Sequence, residues 1–205
     1  MKVLVIGSGA REHALVWKLS QGFPDTEIFA APGNPGTALL ARNLPVNVDD
    51  MDLLLETAKG IGIDVTIVGP EASLALGIVD LFRSEGQVIF GPTRGAARIE
   101  TSKSFAKQLM SDAGVPTAEF AVFDSFAEAT AYIDGQDMPI VIKADGLAAG
   151  KGVVVAQDYQ EAIEALESMM VSKTLGSSGE RVVIEECLVG KEVSVFCFTD
   201  GRNVS

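Results

Sequence analysis

Two lysines, Lys143 and Lys151, stand at the rims of the stretch "VIKADGLAAGKGVVVA" (141–156), whose middle is almost wholly Gly and Ala. β-type runs flank that loop on both sides. A side-chain-poor loop between two strands can fold over a ligand and turn several backbone N–H groups toward phosphate oxygens. The lysines add point charges, each charge-assisted contact contributing about 1.5–3 kcal/mol. A triphosphate is the ligand this pattern suits, although a tight hairpin between buried strands would look the same. It is not a Walker loop, because GxxxxGK[ST] does not occur.

A second phosphate-type pattern is "GSGARE" (7–12), placed after an apolar strand and before a helix. Gly7 allows a tight turn, Gly9 lets the backbone approach a ligand, and a helix N-terminus offers unpaired N–H groups. Glu12 holds the place where a dinucleotide fingerprint wants a third small residue. The second strand ends "FAAPGN" and lacks an acid for ribose hydroxyls. A monophosphate site, a dinucleotide site and a plain structural turn all remain open readings, the second weakened by these departures. His13 fits a packed or capping side chain. Glu71, in "GPEA" (69–72), fits either a helix N-terminal acid or a holder of a substrate hydroxyl or amine.

The formal net charge is -12, with 47% apolar and 21% charged residues among 205. This acidity argues against broad nucleic-acid or anionic-membrane binding, which needs basic surface. Any anion site must therefore be local. The two cysteines, Cys187 and Cys197, make no CxxC and no disulfide framework, so a cytoplasmic location is expected. One histidine excludes multi-histidine metal sites. The N-terminal apolar run ends at Gly7, too short for a signal peptide or a membrane span.

The elements that must position these residues fall into two kinds. Strands at 2–7, 27–36, 64–71 and 87–93 alternate with helices at 11–21, 49–62 and 73–86. Such βα alternation with apolar strands predicts a parallel sheet covered on both faces, with ligands at the carboxyl ends of its strands. One helix is expected over 95–113, capped by Gly114 and stopped by Pro116. A strand run within 115–125, a helix at 126–134, strands at 139–145 and 152–156, a helix at 158–171 and strands at 181–188 and 192–201 follow, an α+β unit. The composition places the boundary near 114–123. The terminal "VSVFCFTDGRNVS" reads as a strand, an Asp-Gly turn and a cut return strand, so the chain is expected to be a fragment.

Taken in order, "VLVIGSGAREHAL", "APGNPGT", "TIVGPEA", "IFGPT", "SKSFAK", "PIVIKADGLAAGKGVVVA" and "VVIEECLVGKEVS" resemble the phosphoribosylamine–glycine ligase (glycinamide ribonucleotide synthetase) family of the ATP-grasp superfamily. The resemblance runs over essentially the whole chain. It implies an α/β fold: an N-terminal parallel-sheet, Rossmann-like pre-ATP-grasp domain over 1–100, then the first part of an α+β ATP-grasp domain over 101–205, with a small lid subdomain at 122–190. Substrate-binding residues implied are Gly9, Ala10, Arg11, Gly33, Asn34, Glu71 and Asp145. Lys103 and Lys143 match phosphate-binding lysines, 146–152 with Gly150, Lys151 and Gly152 a glycine-rich flap, Glu185, Glu186, Cys187 and Leu188 an adenine-reading hinge, and Glu192 a ribose-binding acid. Lys143 and Lys151 are the residues expected at the chemistry.

The implied reaction activates glycine with ATP as an acyl phosphate, which the amine of 5-phosphoribosylamine then attacks to give the amide. Mg²⁺ or Mn²⁺ would offset the charge repulsion, with ligands expected beyond residue 205 and none within the chain. The partners implied are small molecules only, with no nucleic acid or membrane, and the protein is expected to be a monomer. Ala10 departs from the glycine often found in the family's "GGREHA", a small change. Rival readings are another ATP-grasp ligase or carboxylase subunit, an NAD-dependent oxidoreductase, and a nucleotide-binding module without catalysis.

Overall fold

A computed structural model describes residues 1–22, 25–148, 150–199 and 201–205. The first unit is a parallel sheet of five strands: β1 (Lys2–Gly7), β2 (Glu27–Pro32), β3 (Arg42–Asn43), β4 (Val65–Val68) and β5 (Ile89–Phe90), in the order β3-β2-β1-β4-β5. Its helices are α1 (Ala10–Gly22), α2 (Met51–Ile61), α3 (Glu71–Leu76) and α4 (Ile78–Ser84). Alternate side chains of β1 serve opposite faces, as strand geometry requires. Val5 packs with Val16 of α1, whereas Leu4 and Ile6 pack with Leu54 of α2 and Ile78 and Phe82 of α4. The strand order reverses between β1 and β4, which opens a crevice beyond their carboxyl ends. Gly7 and Gly69 close those ends.

Two helices then lead away, α5 (Arg94–Thr101) and α6 (Lys103–Asp112). An antiparallel sheet follows, with strands β6 (Phe120–Phe123), β7 (Ile140–Ala144), β8 (Val153–Ala156) and β9 (Val182–Glu186) in the order β6-β9-β7-β8. Helices α7 (Phe126–Ile133) and α8 (Tyr159–Leu166) cover one face, burying Ile133, Leu166, Ile140, Ile142 and Ile184 together. Val141, Lys143 and Glu185 therefore point to the opposite face. Val141 pairs with Glu185 in the ladder, so Lys143, two residues on, is its diagonal neighbour.

Five expectations need correction. The helix expected over 73–86 is two helices, divided at Gly77, whose φ of 96° is left-handed. The helix expected over 95–113 is also two. Ser102 is extended (φ -139°) and caps α6, accepting from Phe105 N–H. The helix expected over 158–171 stops at Leu166 and continues as a π turn, Glu167–Val171. The strand expected over 192–201 does not form among the described residues. Only an isolated bridge, Thr199 to Val204, appears there, and Val195 and Phe196 are about nine-tenths exposed. A lone strand leaves its backbone unpaired and its apolar face uncovered, so the ladder has nothing to hold it. Asp200 of the expected Asp-Gly turn lies outside the described residues. The short strand β3 adds a fifth member to a sheet expected from four.

Candidate active site

The Gly7–Arg11 turn is built around Glu12. Its carboxylate is buried and accepts from Gly9 N–H at 2.6 Å. A Cβ at Gly7 or at Gly69 would run into that side chain. The glycines thus make room for an acid beneath the turn. Gly9 N–H is already committed, whereas Ala10, at the start of α1, is exposed. Asn34 ties the neighbouring loop to this one, its Nδ2 donating to the carbonyls of Ser8 and Gly9 at 2.9 and 3.3 Å. Gly33, at φ 72°, sits where a Cβ would strike Asn43 and Thr37. His13 packs against Gly36, as a packed side chain should.

Arg11 joins the ends of β1 and β4. It donates to Gly69 O at 2.8 Å and to Glu71 Oε1 at 2.9 Å. The Glu71 carboxyl is held below the ordinary carboxylate range chiefly by its own backbone N–H, with Arg11 adding to this and burial opposing it.

A cavity of about 950 Å³ lies between the two units. Arg11 and Glu71 reach it from the parallel sheet, Lys103 from α6, Lys143 and Glu185 from the antiparallel sheet, and Gly150 and Gly152 from the loop. Its size matches a site for a nucleotide-sized ligand. Lys103 donates to Gly146 O at 3.0 Å. Burial pushes its pKa below the ordinary lysine value, and the charge of Lys143 acts in the same direction, against the pull of Asp145. Lys143 donates to Glu185 Oε2 at 2.9 Å. Glu185 is 5% exposed, and its other oxygen has no partner among the described residues.

Other expected residues lie elsewhere. Asp145 is tied up at the start of α6: Ser104 N–H donates to it at 2.6 Å, and the Ser102 and Ser104 hydroxyls at 3.2 and 3.0 Å. Lys151 is exposed, its N–H turned back to Ala148 O, and its side chain makes no hydrogen bond among the described residues. Glu186 accepts from Glu119 N–H at the rim of the sheet. Cys187 is a half-buried free thiol, while Leu188 and Glu192 are exposed, and none of these lines the cavity. Ala149 of the expected flap lies outside the described residues. Around it, Gly146 N–H donates to Ser178 O, and Ser178 Oγ donates to Leu147 O.

Sequence reasoning passed over Lys107, which is buried, lines the cavity and pairs with Glu185 at 2.9 Å. Its position four residues after Lys103 put it on the same helix face, a signal present in "SKSFAK". No three His, Cys, Asp or Glu side chains converge among the described residues. No helix among them is long and apolar enough to cross a membrane.

Comparison with known proteins fits this geometry. The family model "Phosphoribosylglycinamide synthetase, N domain" matches residues 1–100, and "Phosphoribosylglycinamide synthetase, ATP-grasp (A) domain" matches residues 101–205. A curated phosphoribosylamine–glycine ligase of Ralstonia nicotianae is 53% identical over the whole chain, and one of Vibrio cholerae is 49% identical. The chain spans 48% of each relative's length. The crystal structure of the Thermotoga maritima phosphoribosylamine–glycine ligase superposes with a TM-score of 0.82 at 33% identity, covering all of this chain and 48% of that one. The biotin carboxylase domain of Hydrogenobacter thermophilus 2-oxoglutarate carboxylase shares the fold alone, with a TM-score of 0.72 at 19% identity over 91% of this chain and 44% of that one. Matched along its whole length by the two family models, the chain belongs to the phosphoribosylglycinamide synthetase family.

Proposed function

We propose that this chain carries the ATP-binding and sugar-phosphate-binding parts of a ligase that joins glycine to 5-phosphoribosylamine. The observation that carries this reading is one cavity into which Lys103, Lys143, Arg11 and Glu71 all converge from separate elements. Residues 1–100 are assigned to the amine substrate and 101–205 to ATP, with 122–190 as the lid.

In this reading the triphosphate lies between Lys103 and Lys143 under the Gly146–Gly152 loop. Two unit charges 4 Å apart interact by about 4 kcal/mol at an effective dielectric of about 20, so two ammonium groups offset much of the repulsion between the terminal phosphate and an incoming carboxylate. Glu185 Oε1 offers an acceptor to an N–H of the adenine, and the backbone of 185–188 completes its recognition. Glycine's carboxylate attacks the γ-phosphorus, and ADP leaves. The amine of phosphoribosylamine, held by Arg11 and the first turn of α1 through its phosphate, then attacks the acyl carbon. Phosphate departs as the amide forms. Glu71 is placed to accept from a substrate hydroxyl or amine. Mg²⁺ or Mn²⁺ would supply further charge neutralisation at the phosphates. Two free cysteines suit a reducing cytoplasm, and a monomer suffices for the cavity.

The test separates binding from ligation. The 205-residue chain is expected to bind ATP weakly and to form no product from ATP, glycine and 5-phosphoribosylamine. Robust turnover by the chain alone, or the absence of any ATP binding, would count against this division of labour.

A further inference from the structure

Lys107 lies one turn beyond Lys103 on α6, and the reading above gives it no task. It is 7% exposed, its ammonium donates to Thr117 Oγ1 at 2.8 Å and to Ala118 O at 3.4 Å, and it lies 2.9 Å from Glu185 Oε2 as an ion pair. Two of its three donors are thus taken, and its charge lies against the buried acid. The Lys143 ammonium makes a single hydrogen bond among the described residues, to that same Glu185 oxygen at 2.9 Å. Two cations therefore share one buried carboxylate, and Lys107 is the one anchored by further partners.

The charges decide what this arrangement can do. Lys143 and Glu185 alone would form a neutral pair. An anion recruiting Lys143 would then strand a buried carboxylate, which is strongly unfavourable. With Lys107 fixed on Glu185, the buried acid keeps a counter-ion whichever way Lys143 turns, and one net positive charge stays available at the cavity wall. Resting on the reading of this cavity as an ATP site, we propose that Lys107 is a positioning residue whose buried ammonium neutralises Glu185 and so frees Lys143 for the phosphates.

Calorimetric titration of the protein with ATP and with adenosine tests this, using Lys107→Gln, which keeps polar reach without charge, and Lys107→Met. Both variants are expected to bind ATP about 10-fold or more weakly while adenosine affinity stays within about 2-fold. Equal weakening toward both ligands, or no weakening toward ATP, would overturn the proposal in favour of a packing role or none. If the unaltered protein binds neither ligand, the ATP reading itself fails and takes this inference with it, an outcome distinct from a change seen only in the variants. Should thermal melting show that both variants fail to fold, a nucleotide-bound structure of the unaltered protein decides. Lys107 Nζ is expected to remain on Glu185 while Lys143 Nζ leaves it for a phosphate oxygen. Lys143 staying on Glu185, or Lys107 moving to the phosphate, would contradict the proposal.

Discussion

The backbone N–H of Gly9 donates to the carboxylate of Glu12 at 2.6 Å, so the acid lies folded beneath the turn that precedes it. Gly7 and Gly69 lack the Cβ atoms that would exclude it. Burying that acid gives the turn an internal brace. Removing the brace as Glu12→Ala leaves Gly9 N–H without its acceptor and opens a void under two glycines. A loss of about 1–3 kcal/mol in unfolding free energy is expected, measured by urea denaturation. Gly69→Ala should also destabilise, because its Cβ meets the same carboxylate. Wild-type stability in both would show that the turn does not depend on Glu12.

Lys103 links protonation to both stability and binding, with opposite signs. Burial holds its pKa below 10.5, the ordinary value. Between the depressed native value and 10.5, the unfolded chain carries the proton and the native chain does not. Stability attributable to this group therefore rises with pH through that window, and the cost of burying the charge is fully present below it. ATP affinity should fall over the same window as the ammonium is lost. Lys103→Arg, which stays charged, should flatten the affinity limb. Affinity that stays level up to pH 10.5 in the unaltered protein would remove Lys103 from the phosphate site.

Gly152 is buried at the foot of the glycine-rich loop, where a Cβ would approach Ala148 Cβ at 2.6 Å and Ala144 Cβ at 3.2 Å. Its carbonyl also accepts from Ala144 N–H at 2.8 Å. Gly152→Ala should push the loop off the end of β7 and weaken ATP binding by about 10-fold, on the scale of one lost charge-assisted contact. Gly150→Ala has open space around it and acts instead through its φ of 79°, with a cost of about 1 kcal/mol. Titration with ATP distinguishes them, the larger effect being expected at Gly152. A reversed order would mean that backbone freedom at Gly150, and not packing at Gly152, sets the loop.

The parallel sheet was legible because its strands are short apolar runs between helical periods, and both faces of β1 are filled. The breaks at Gly77 and Ser102 were harder to see. Helical periodicity continues across each, and what interrupts it is local: a left-handed glycine at one, and at the other a serine cap reinforced by the distant Asp145. Lys143 and Glu71 could be picked out because each sits at the end of a strand or the start of a helix, where side chains face a crevice, whereas Lys103 and Arg11 were named through the family resemblance. Glu12 and Lys107 were less legible, since their roles depend on partners 57 residues or more away in the chain, at Gly69 for a Cβ clash and at Glu185 for an ion pair. The terminal strand failed for a related reason. Its alternation is that of a strand, but alternation forms a ladder only where another strand offers one.

A crystal structure of the protein with a non-hydrolysable ATP analogue tests the central claim most directly. Phosphate oxygens are expected within hydrogen-bond reach of both Lys103 and Lys143, beneath the Gly146–Gly152 loop, with the adenine against residues 185–188. Phosphates bound instead at the Gly7–Arg11 turn, with the two lysines left on Gly146 and Glu185, would contradict it.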